Sequence, residues 1–376
     1  MNKAPLIALV AIVALVGLGF GGRAYATHAM SSRAVVPKTL GAATPASVGI
    51  PFSRVAVEAG NRTLIGWWVR ARADSGRTPP AVLFLHGNRS SISDYVELQR
   101  FLYKQGISSL VFDYSGFGAS GGAPSLTNAV QDAGTVARVF ADSAGAAARK
   151  VAMGSALGAT VLLQAIDSVQ PHVNGVVIEG VAASVRESAV RDGRLPRLMA
   201  PLVVDLGDNV TAARNVMVPV LAVHSYADQR FVIEDAQRVV QAVPAQYALV
   251  RHWRKGHSAL LTSTRPCDWD PVLRFIRTGA LPSSRIDSTD QCALQARQAQ
   301  LAAAQKSVVA PSGASTGASP TSTKTPVTMT KIVTSGTKST TTKTAAPTTS
   351  TKSRPATTKA PSTKTTSRTP TSTKKP

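Results

Sequence analysis

The chain has 376 residues, and its 42 lysines and arginines against 20 aspartates and glutamates give a formal net charge of +22. Its two cysteines are too few for a disulfide-built scaffold or a cysteine zinc cluster. Residues 45–300 carry a net charge of only +6, from 26 basic and 20 acidic residues. The sequence therefore predicts one mildly basic α/β domain with a basic appendage.

The amino-terminal segment, residues 1–26, is uncharged and mainly apolar from Ala4 to Gly22. Lys3 precedes the apolar run, and the small residues Ala24 and Ala26 follow it. This order is typical of an export signal peptide, for which we predict cleavage after Ala26. Retention as an amino-terminal membrane anchor stays open, because the run is near the lower length limit for a spanning helix. Both forms predict a body outside the cytoplasm, either periplasmic or secreted, or anchored in the inner membrane.

The body begins with a predicted β-hairpin and continues with a predicted parallel sheet. Residues 53–58 and 63–70 alternate in polarity around Gly60 and Asn61, which is typical of a hairpin. The apolar runs that follow do not alternate and are separated by helix-length segments: 81–85, 109–112, 151–153, 176–178, 218–223 and 247–250. Such strands predict a mostly parallel sheet with helices on both faces. Ligands bind such a sheet outside the carboxyl ends of its strands.

Glycine-rich or polar segments follow several of these runs: His86-Gly87-Asn88, 113–120, 154–158, 224–228 and 255–261. In this order they resemble the α/β-hydrolase superfamily, and most closely its serine-aminopeptidase-like and acyl-hydrolase branch. The resemblance runs from about residue 50 to 280. It implies an α/β-hydrolase fold over residues 45–282, with a mostly parallel central sheet, helices on both faces and a short cap formed by residues 184–212.

The nucleophile of this fold lies on a sharp turn between a strand and a helix. The residues two before and two after it must be small for the backbone to close. Gly154 and Gly158 meet this requirement and place the nucleophile position at residue 156, which is Ala156 instead of serine. A register with Ser155 as nucleophile would put large side chains at the two crowded positions. Ser155 is therefore expected to be a poor substitute.

The resemblance also assigns the remaining site residues. Asp228 matches the triad acid and His257 the triad base, so Asp228 would orient His257 and stabilise its protonated form. The backbone amides of Asn88 and Leu157 would form the oxyanion hole. The residues expected to shape the site are His86, Gly87, Gly154 and Gly158.

The roles of Glu179 and of the arginines in the cap segment can each be interpreted in two ways. Glu179 follows an apolar run and could belong to the site, but we favour a loop carboxylate in solvent. The cap segment contains several arginines that could select an anionic substrate: Arg186, Arg191, Arg194 and Arg197. We favour a solvated face for them.

The carboxyl-terminal part of the chain is predicted to have three features. Cys267 and Cys292 are expected to pair, since two leftover cysteines of an exported protein usually form a disulfide; two unpaired buried thiols are the alternative. Residues 283–306 are expected to form an extension with a short helix. Residues 307–376 are rich in Thr, Ser, Lys and Pro without an aromatic residue, which predicts a disordered basic tail. The tail is a solvated spacer or a tether to anionic envelope polymers, with no specific nucleic acid partner.

The alanine at the elbow leaves three functional hypotheses. The favoured one is a weak or inactive serine hydrolase, a pseudoenzyme that binds a small acyl ligand or a partner. The second is an active hydrolase of esters, thioesters or amides that uses His257 with water or Ser155. The third is a structural envelope protein held by its tail. No metal and no nucleotide cofactor is expected, since the histidines lack ligand spacing and no phosphate loop follows the first parallel strand. A monomer is expected.

Overall fold

The computed structural model describes residues 13–14, 16–25, 27, 35–72, 78–225, 227–254, 256–282 and 290–309. The chain divides into units 1–311 and 312–376, and the second unit lies outside the described residues. The described residues between 13 and 27 are helical. Of the helices described, none is both long and apolar enough to cross a bilayer. Much of the predicted signal segment and the tail from residue 310 onward also lie outside the described residues.

The described residues form one eight-stranded sheet in the order β1-β2-β4-β3-β5-β6-β7-β8. The strands are β1 (Ser53–Ala59), β2 (Arg62–Val69), β3 (Ala81–Leu85), β4 (Ser108–Phe112), β5 (Lys150–Ser155), β6 (Gly175–Glu179), β7 (Val220–Ser225) and β8 (Tyr247–His252). β1 pairs with β2 and β2 with β4 in antiparallel fashion, whereas β3 to β8 are parallel. The predicted hairpin and the predicted mostly parallel sheet are thus confirmed.

Helices cover both faces of the sheet. The α-helices are α1 (Val96–Lys104), α2 (Leu126–Ala144), α3 (Leu157–Gln164), α4 (Ile166–Val169), α5 (Val185–Arg191), α6 (Asn209–Ala213), α7 (Ile233–Gln241), α8 (Asp270–Thr278) and α9 (Gln291–Val309). Short 3-10 helices lie at Pro45–Val48, Ile92–Tyr95, Gln170–His172, Arg197–Leu202, Ala259–Thr262 and Pro266–Trp269. Successive strand residues point to opposite faces, so Leu83 and Leu85 pack toward α2 and α3, and Val82 and Phe84 pack toward α1 and α8. Both faces are therefore buried, as the unbroken apolar runs predict.

Four strands continue past the carboxyl ends of their apolar runs. β5 ends at Ser155, β6 at Glu179, β7 at Ser225 and β8 at His252. Ser155 stands opposite Glu179 in the parallel register, and Ser225 stands opposite His252. Polar residues at the end of a buried strand resemble a loop in the sequence, although their backbones still join the ladder.

The predicted cap is confirmed between β6 and β7, where α5, the 3-10 helix Arg197–Leu202 and α6 lie. The Ser184 hydroxyl accepts a hydrogen bond from the Glu187 amide at 2.9 Å and caps α5. Asp208 caps α6 in the same way through the Thr211 amide, and Ser184 and Asp208 form an antiparallel bridge. Ser184 at the start of the cap and Asp208 near its end therefore lie next to each other.

Two boundaries differ from those predicted. Residues 35–44 also pack on the body: Val35 is buried, and the Gly118 amide donates to the Lys38 carbonyl. This contact is made by backbone groups, so no polarity pattern marks it. The helix expected to be short within 283–306 is α9, which has 19 residues and continues past residue 307. Its alanines and glutamines favour a helix. The predicted disulfide between Cys267 and Cys292 is present.

Candidate active site

The turn from β5 to α3 places Ala156 at its apex. Ala156 has φ 53° and ψ −109°, a conformation that residues with a side chain rarely adopt. A Cβ atom at Gly154 would lie 2.4 Å from the Gly158 carbonyl oxygen, and one at Gly158 would lie 1.9 Å from the Leu85 carbonyl oxygen. Both glycines are thus required by close backbone packing. The turn has the register in which residue 156 occupies the nucleophile position.

His257 and Asp228 form a direct pair beside this turn. His257 Nδ1 lies 2.9 Å from Asp228 Oδ2, and the other carboxylate oxygen accepts the amides of Arg230 and Phe231 at 2.8 and 3.1 Å. Burial opposes ionisation of Asp228, but the hydrogen bond and charge of His257 outweigh it, so the pKa of Asp228 is lowered. An ionised Asp228 accepts the proton of Nδ1, which leaves Nε2 of a neutral imidazole as a base. The Phe231 ring packs edge-on against the imidazole at 5.1 Å.

Ala156 and His257 both lie next to the residues at the end of β6. The Ala156 amide donates to the Glu179 carbonyl at 2.9 Å. Gly180 follows directly and lies beneath the imidazole, since a Cβ atom there would be 3.3 Å from His257 Cε1. The Ser258 hydroxyl lies 2.9 Å from the Ser155 hydroxyl. The structure therefore brings the elbow and the histidine loop together.

The His86-Gly87-Asn88 loop lies on the other side of the elbow. A Cβ atom at Gly87 would be 3.9 Å from the Ala156 methyl carbon, which shows how closely the loop approaches. His86 is buried and donates from Nδ1 to the Gly87 carbonyl at 2.8 Å, so it fixes the loop from within. Asn88 accepts the Val36 amide at 2.7 Å. Leu157 is the first residue of α3, where an amide has no acceptor within its own helix.

Glu179 corrects the expectation of a carboxylate in solvent. It is the last residue of β6, is fully buried, and accepts the Ser155 hydroxyl at 2.7 Å. Burial raises the pKa of Glu179 to about 7, although the hydrogen bond from Ser155 and the charge of His257 act in the opposite direction. The signal in the sequence was the position of Glu179 directly after an apolar run, and the parallel register of β5 and β6 pairs it with Ser155.

This pairing also fixes the place of Ser155. Its side chain is 1% exposed, and its hydroxyl contacts Glu179 and Ser258. In that position the hydroxyl lies behind the turn, at the end of the sheet, whereas the Ala156 methyl group lines the cavity above the turn. The structure thus places the only hydroxyl within the 154–158 turn away from the position expected of a nucleophile.

A cavity of about 460 Å³ lies between the elbow and the cap. Ala156, Leu157 and Asn88 form part of its floor, and cap residues such as Val185, Leu195 and Met199 form part of its roof. Its size is that of a site which encloses a small organic ligand. The cap is short, but it still covers the elbow.

The cap arginines have separate surroundings. Arg194 lines this cavity and pairs with Asp192. Arg191 pairs with Asp235 at 2.7 Å, and Arg186 donates to the Val203 carbonyl at 3.1 Å. Arg186, Arg191 and Arg197 line a separate depression in the cap. Arg191, Arg194 and Arg197 are exposed, as the predicted solvated face requires, whereas Arg186 is half-buried.

Among the described residues, one group of possible metal ligands comes together: Cys267, Asp268 and Cys292. The two cysteines are joined in the disulfide, so they present no thiolate to a metal ion.

Comparison with known proteins agrees with this fold. Residues 76–239 match the family model described as serine aminopeptidase, S33. The chain is 28% identical over 251 residues to an uncharacterized protein of Mycobacterium tuberculosis, covering 65% of this chain and 85% of that protein. It is 27% identical over 206 residues to an uncharacterized protein of Salmonella typhi, covering 50% and 65%. An esterase of Pyrococcus furiosus superposes with a TM-score of 0.51 at 20% identity, over 64% of this chain and 95% of the esterase. The described body therefore has the α/β-hydrolase fold, and its segment 76–239 is serine-aminopeptidase-like.

Proposed function

We propose that the protein binds a small acyl compound in the cavity under the cap and has weak or no activity as a serine hydrolase. The observation that carries this proposal is the methyl group of Ala156 at the apex of an otherwise complete elbow. Covalent catalysis needs an oxygen or sulfur atom at this point, next to a base and to oxyanion donors. The alanine removes the attacking atom and leaves the binding site around it in place.

The surrounding groups support binding in this site. His257 and Asp228 would orient a polar group of the ligand, and the amides of Asn88 and Leu157 would bind its carbonyl oxygen. Such groups alone can leave catalysis about 10³- to 10⁴-fold above that in water. The protein is thus expected to bind acyl compounds and to turn them over slowly.

A second candidate is a hydrolase in which His257 activates a water molecule. The pair of His257 and Asp228, joined at 2.9 Å, favours it, because that hydrogen bond leaves Nε2 available as a base. Ser155 is less suited to be the nucleophile of this hydrolase, since its hydroxyl is buried and bonded to Glu179.

We also propose that the protein acts outside the cytoplasm. The uncharged apolar run from Ala4 to Gly22 supports export, and the disulfide is compatible with an oxidising compartment. The tail supports contact with anionic envelope polymers, since residues 307–376 contain 11 basic residues and no acidic one.

A serine-directed fluorophosphonate and p-nitrophenyl esters test the proposal on the purified full chain. We expect no stoichiometric labelling, and hydrolysis close to that of the His257→Ala variant. Stoichiometric labelling that disappears in Ser155→Ala would overturn the proposal, because Ser155 would then be a working nucleophile. Rapid unlabelled turnover that is lost in His257→Ala would favour the water-based hydrolase instead.

A further inference from the structure

Two arginines stand on opposite sides of the elbow and line the same cavity as Ala156. Arg89 follows the His86-Gly87-Asn88 loop directly, and Arg230 lies in the loop that Asp228 begins. Both are exposed. The two loops are held by different parts of the fold, since the Arg89 amide donates to the Val36 carbonyl and the Arg230 amide to Asp228. The backbones of both arginines are thus held in place at the opening of one cavity, called the mouth below.

Neither guanidinium group has a protein partner. Within the part of the chain that the structure describes, Arg89 and Arg230 form no ion pair and no side-chain hydrogen bond, whereas Arg194 of the same cavity pairs with Asp192. The described residues that line the cavity include no Asp or Glu. The two carboxylates beside the elbow already have other partners: Asp228 is bonded to His257, and Glu179 is buried with Ser155. The charge of the mouth is therefore uncompensated.

The remainder of the cavity is mainly apolar. Leu126, Val185, Leu195, Met199 and Val203 line it. Apolar walls favour a hydrocarbon chain by removing it from water. Arginine presents its donors in a planar fork that matches the two oxygens of a carboxylate. One cavity thus contains both a binding site for an anionic head group and a binding site for a hydrocarbon chain.

We propose that the ligand is an amphipathic carboxylate, with its head group between Arg89 and Arg230 above Ala156 and its hydrocarbon chain under the cap. This inference rests on the proposed function, because it names the ligand class of the same site. A carboxylate has no leaving group, and Ala156 has no nucleophile, so the complex is a bound state and no bond is broken.

Calorimetric titration of the full chain with dodecanoate and with dodecanol tests the charge requirement. We expect dodecanoate to bind at least about tenfold more tightly than dodecanol, because charge-assisted hydrogen bonds form only with the acid. The double variant Arg89→Gln with Arg230→Gln should lose this preference and bind dodecanol as before. Dodecyl phosphate distinguishes the two anionic head groups, and tighter binding of the phosphate than of dodecanoate would contradict the choice of a carboxylate.

Two control variants test whether the preference for dodecanoate depends on the charges of Arg89 and Arg230 or on positive charge elsewhere on the surface. Arg54→Gln removes one exposed arginine on β1 and should leave both affinities unchanged. Arg89→Lys with Arg230→Lys keeps the charge but loses the planar fork, so it should retain only part of the preference for the acid. If the double glutamine variant does not fold, the two single glutamine variants decide, each with a partial loss of preference.

Two results would overturn the inference. Equal affinity for dodecanol and dodecanoate is one, and an unchanged preference in the double glutamine variant is the other. Either result leaves the proposed function standing, since that function fails on other readouts: rapid ester hydrolysis by the same protein sample, or stoichiometric labelling that disappears in Ser155→Ala. The two failures are therefore distinguishable.

Discussion

At the scale of single residues, the elbow has an alanine at the position that the resemblance assigns to the nucleophile. The backbone of residue 156 has the strained geometry of a nucleophile elbow, yet the side chain is a methyl group. The adjacent hydroxyl of Ser155 is bonded to the buried Glu179. Glu179 is buried at the end of a strand, and no cation of the described residues is bonded to it. Its ionisation is therefore costly, and this cost can be measured.

The Glu179→Gln variant should change how stability depends on pH. The pKa of Glu179 rises from 4.5 to about 7 on folding, chiefly through burial. Between these values the folded chain keeps a proton that the unfolded chain has lost, so the wild type loses stability as the pH rises. We expect the wild type to fall by about 3 kcal/mol relative to Glu179→Gln between pH 5 and pH 8.

Urea denaturation at several pH values measures this difference. The matched control is Glu234→Gln, which neutralises an exposed carboxylate in the first turn of α7 and should leave the pH profile parallel to that of the wild type. A profile of Glu179→Gln that also runs parallel to the wild type would contradict the buried, proton-holding carboxylate.

At the scale of elements, the turn from β5 to α3 is packed directly against β3. A side chain at Gly158 would enter the backbone of Leu85, 1.9 Å from its carbonyl oxygen. The atoms that this side chain would meet belong to the backbone, and they cannot move aside as a flexible side chain could. The close packing of Gly158 against Leu85 keeps the His86-Gly87-Asn88 loop beside Ala156. The geometry of the site therefore depends on this packing.

The Gly158→Ala variant should therefore be destabilised by about 3 kcal/mol, since a single methyl group must displace a strand. Gly121→Ala is the matched control, because a Cβ atom there would be 3.7 Å from its nearest neighbour, and its stability should change by less than about 0.5 kcal/mol. Chemical denaturation of both variants gives the comparison. Equal stability of Gly158→Ala and the wild type would contradict the packing of the elbow.

The features that could be predicted from sequence are those that depend on residues close together in the chain. Two glycines around residue 156 follow from the steric demands of one turn, and the glycine-rich loops follow strands that the apolar runs mark. The burial of Glu179 depends on the register between β5 and β6, which residues 24 apart in the chain do not reveal. The position of Arg89 and Arg230 at one mouth likewise depends on two loops that meet only in the folded chain.

At the scale of the whole molecule, a disulfide cross-link joins the described body to its carboxyl-terminal extension in addition to the polypeptide backbone. The disulfide connects Cys267, beside α8, to Cys292 in α9, across 25 residues of sequence. α9 has mostly exposed side chains in its described part, so few apolar contacts hold it to the body. The link is thus expected to contribute much of the attachment.

Removal of the disulfide in the double variant Cys267→Ser and Cys292→Ser should lower the free energy of unfolding by up to about 3 kcal/mol, through the entropy of the unfolded chain. Thermal unfolding with and without reductant measures this effect. Reductant should lower the melting temperature of the wild type and leave that of the double variant unchanged. A wild type that does not respond to reductant would show that the pairing contributes nothing to stability.

The basic tail makes a separate prediction. The full chain should bind cell-envelope fractions at low salt and be released as the salt concentration rises, because exposed charges are screened. Deletion of residues 307–376 should abolish this binding. Equal binding by the truncated chain would contradict the tether and leave a solvated spacer.

The most direct test of the central claim is ester hydrolysis by the natural chain beside Ala156→Ser and Ala156→Ser with His257→Ala. The account predicts little turnover by the natural chain, an increase of at least about 100-fold in Ala156→Ser, and loss of that gain with His257→Ala. This result would mean that the site lacks only its nucleophile. Rapid turnover by the natural chain, or no gain from the serine in a folded variant, would contradict the account.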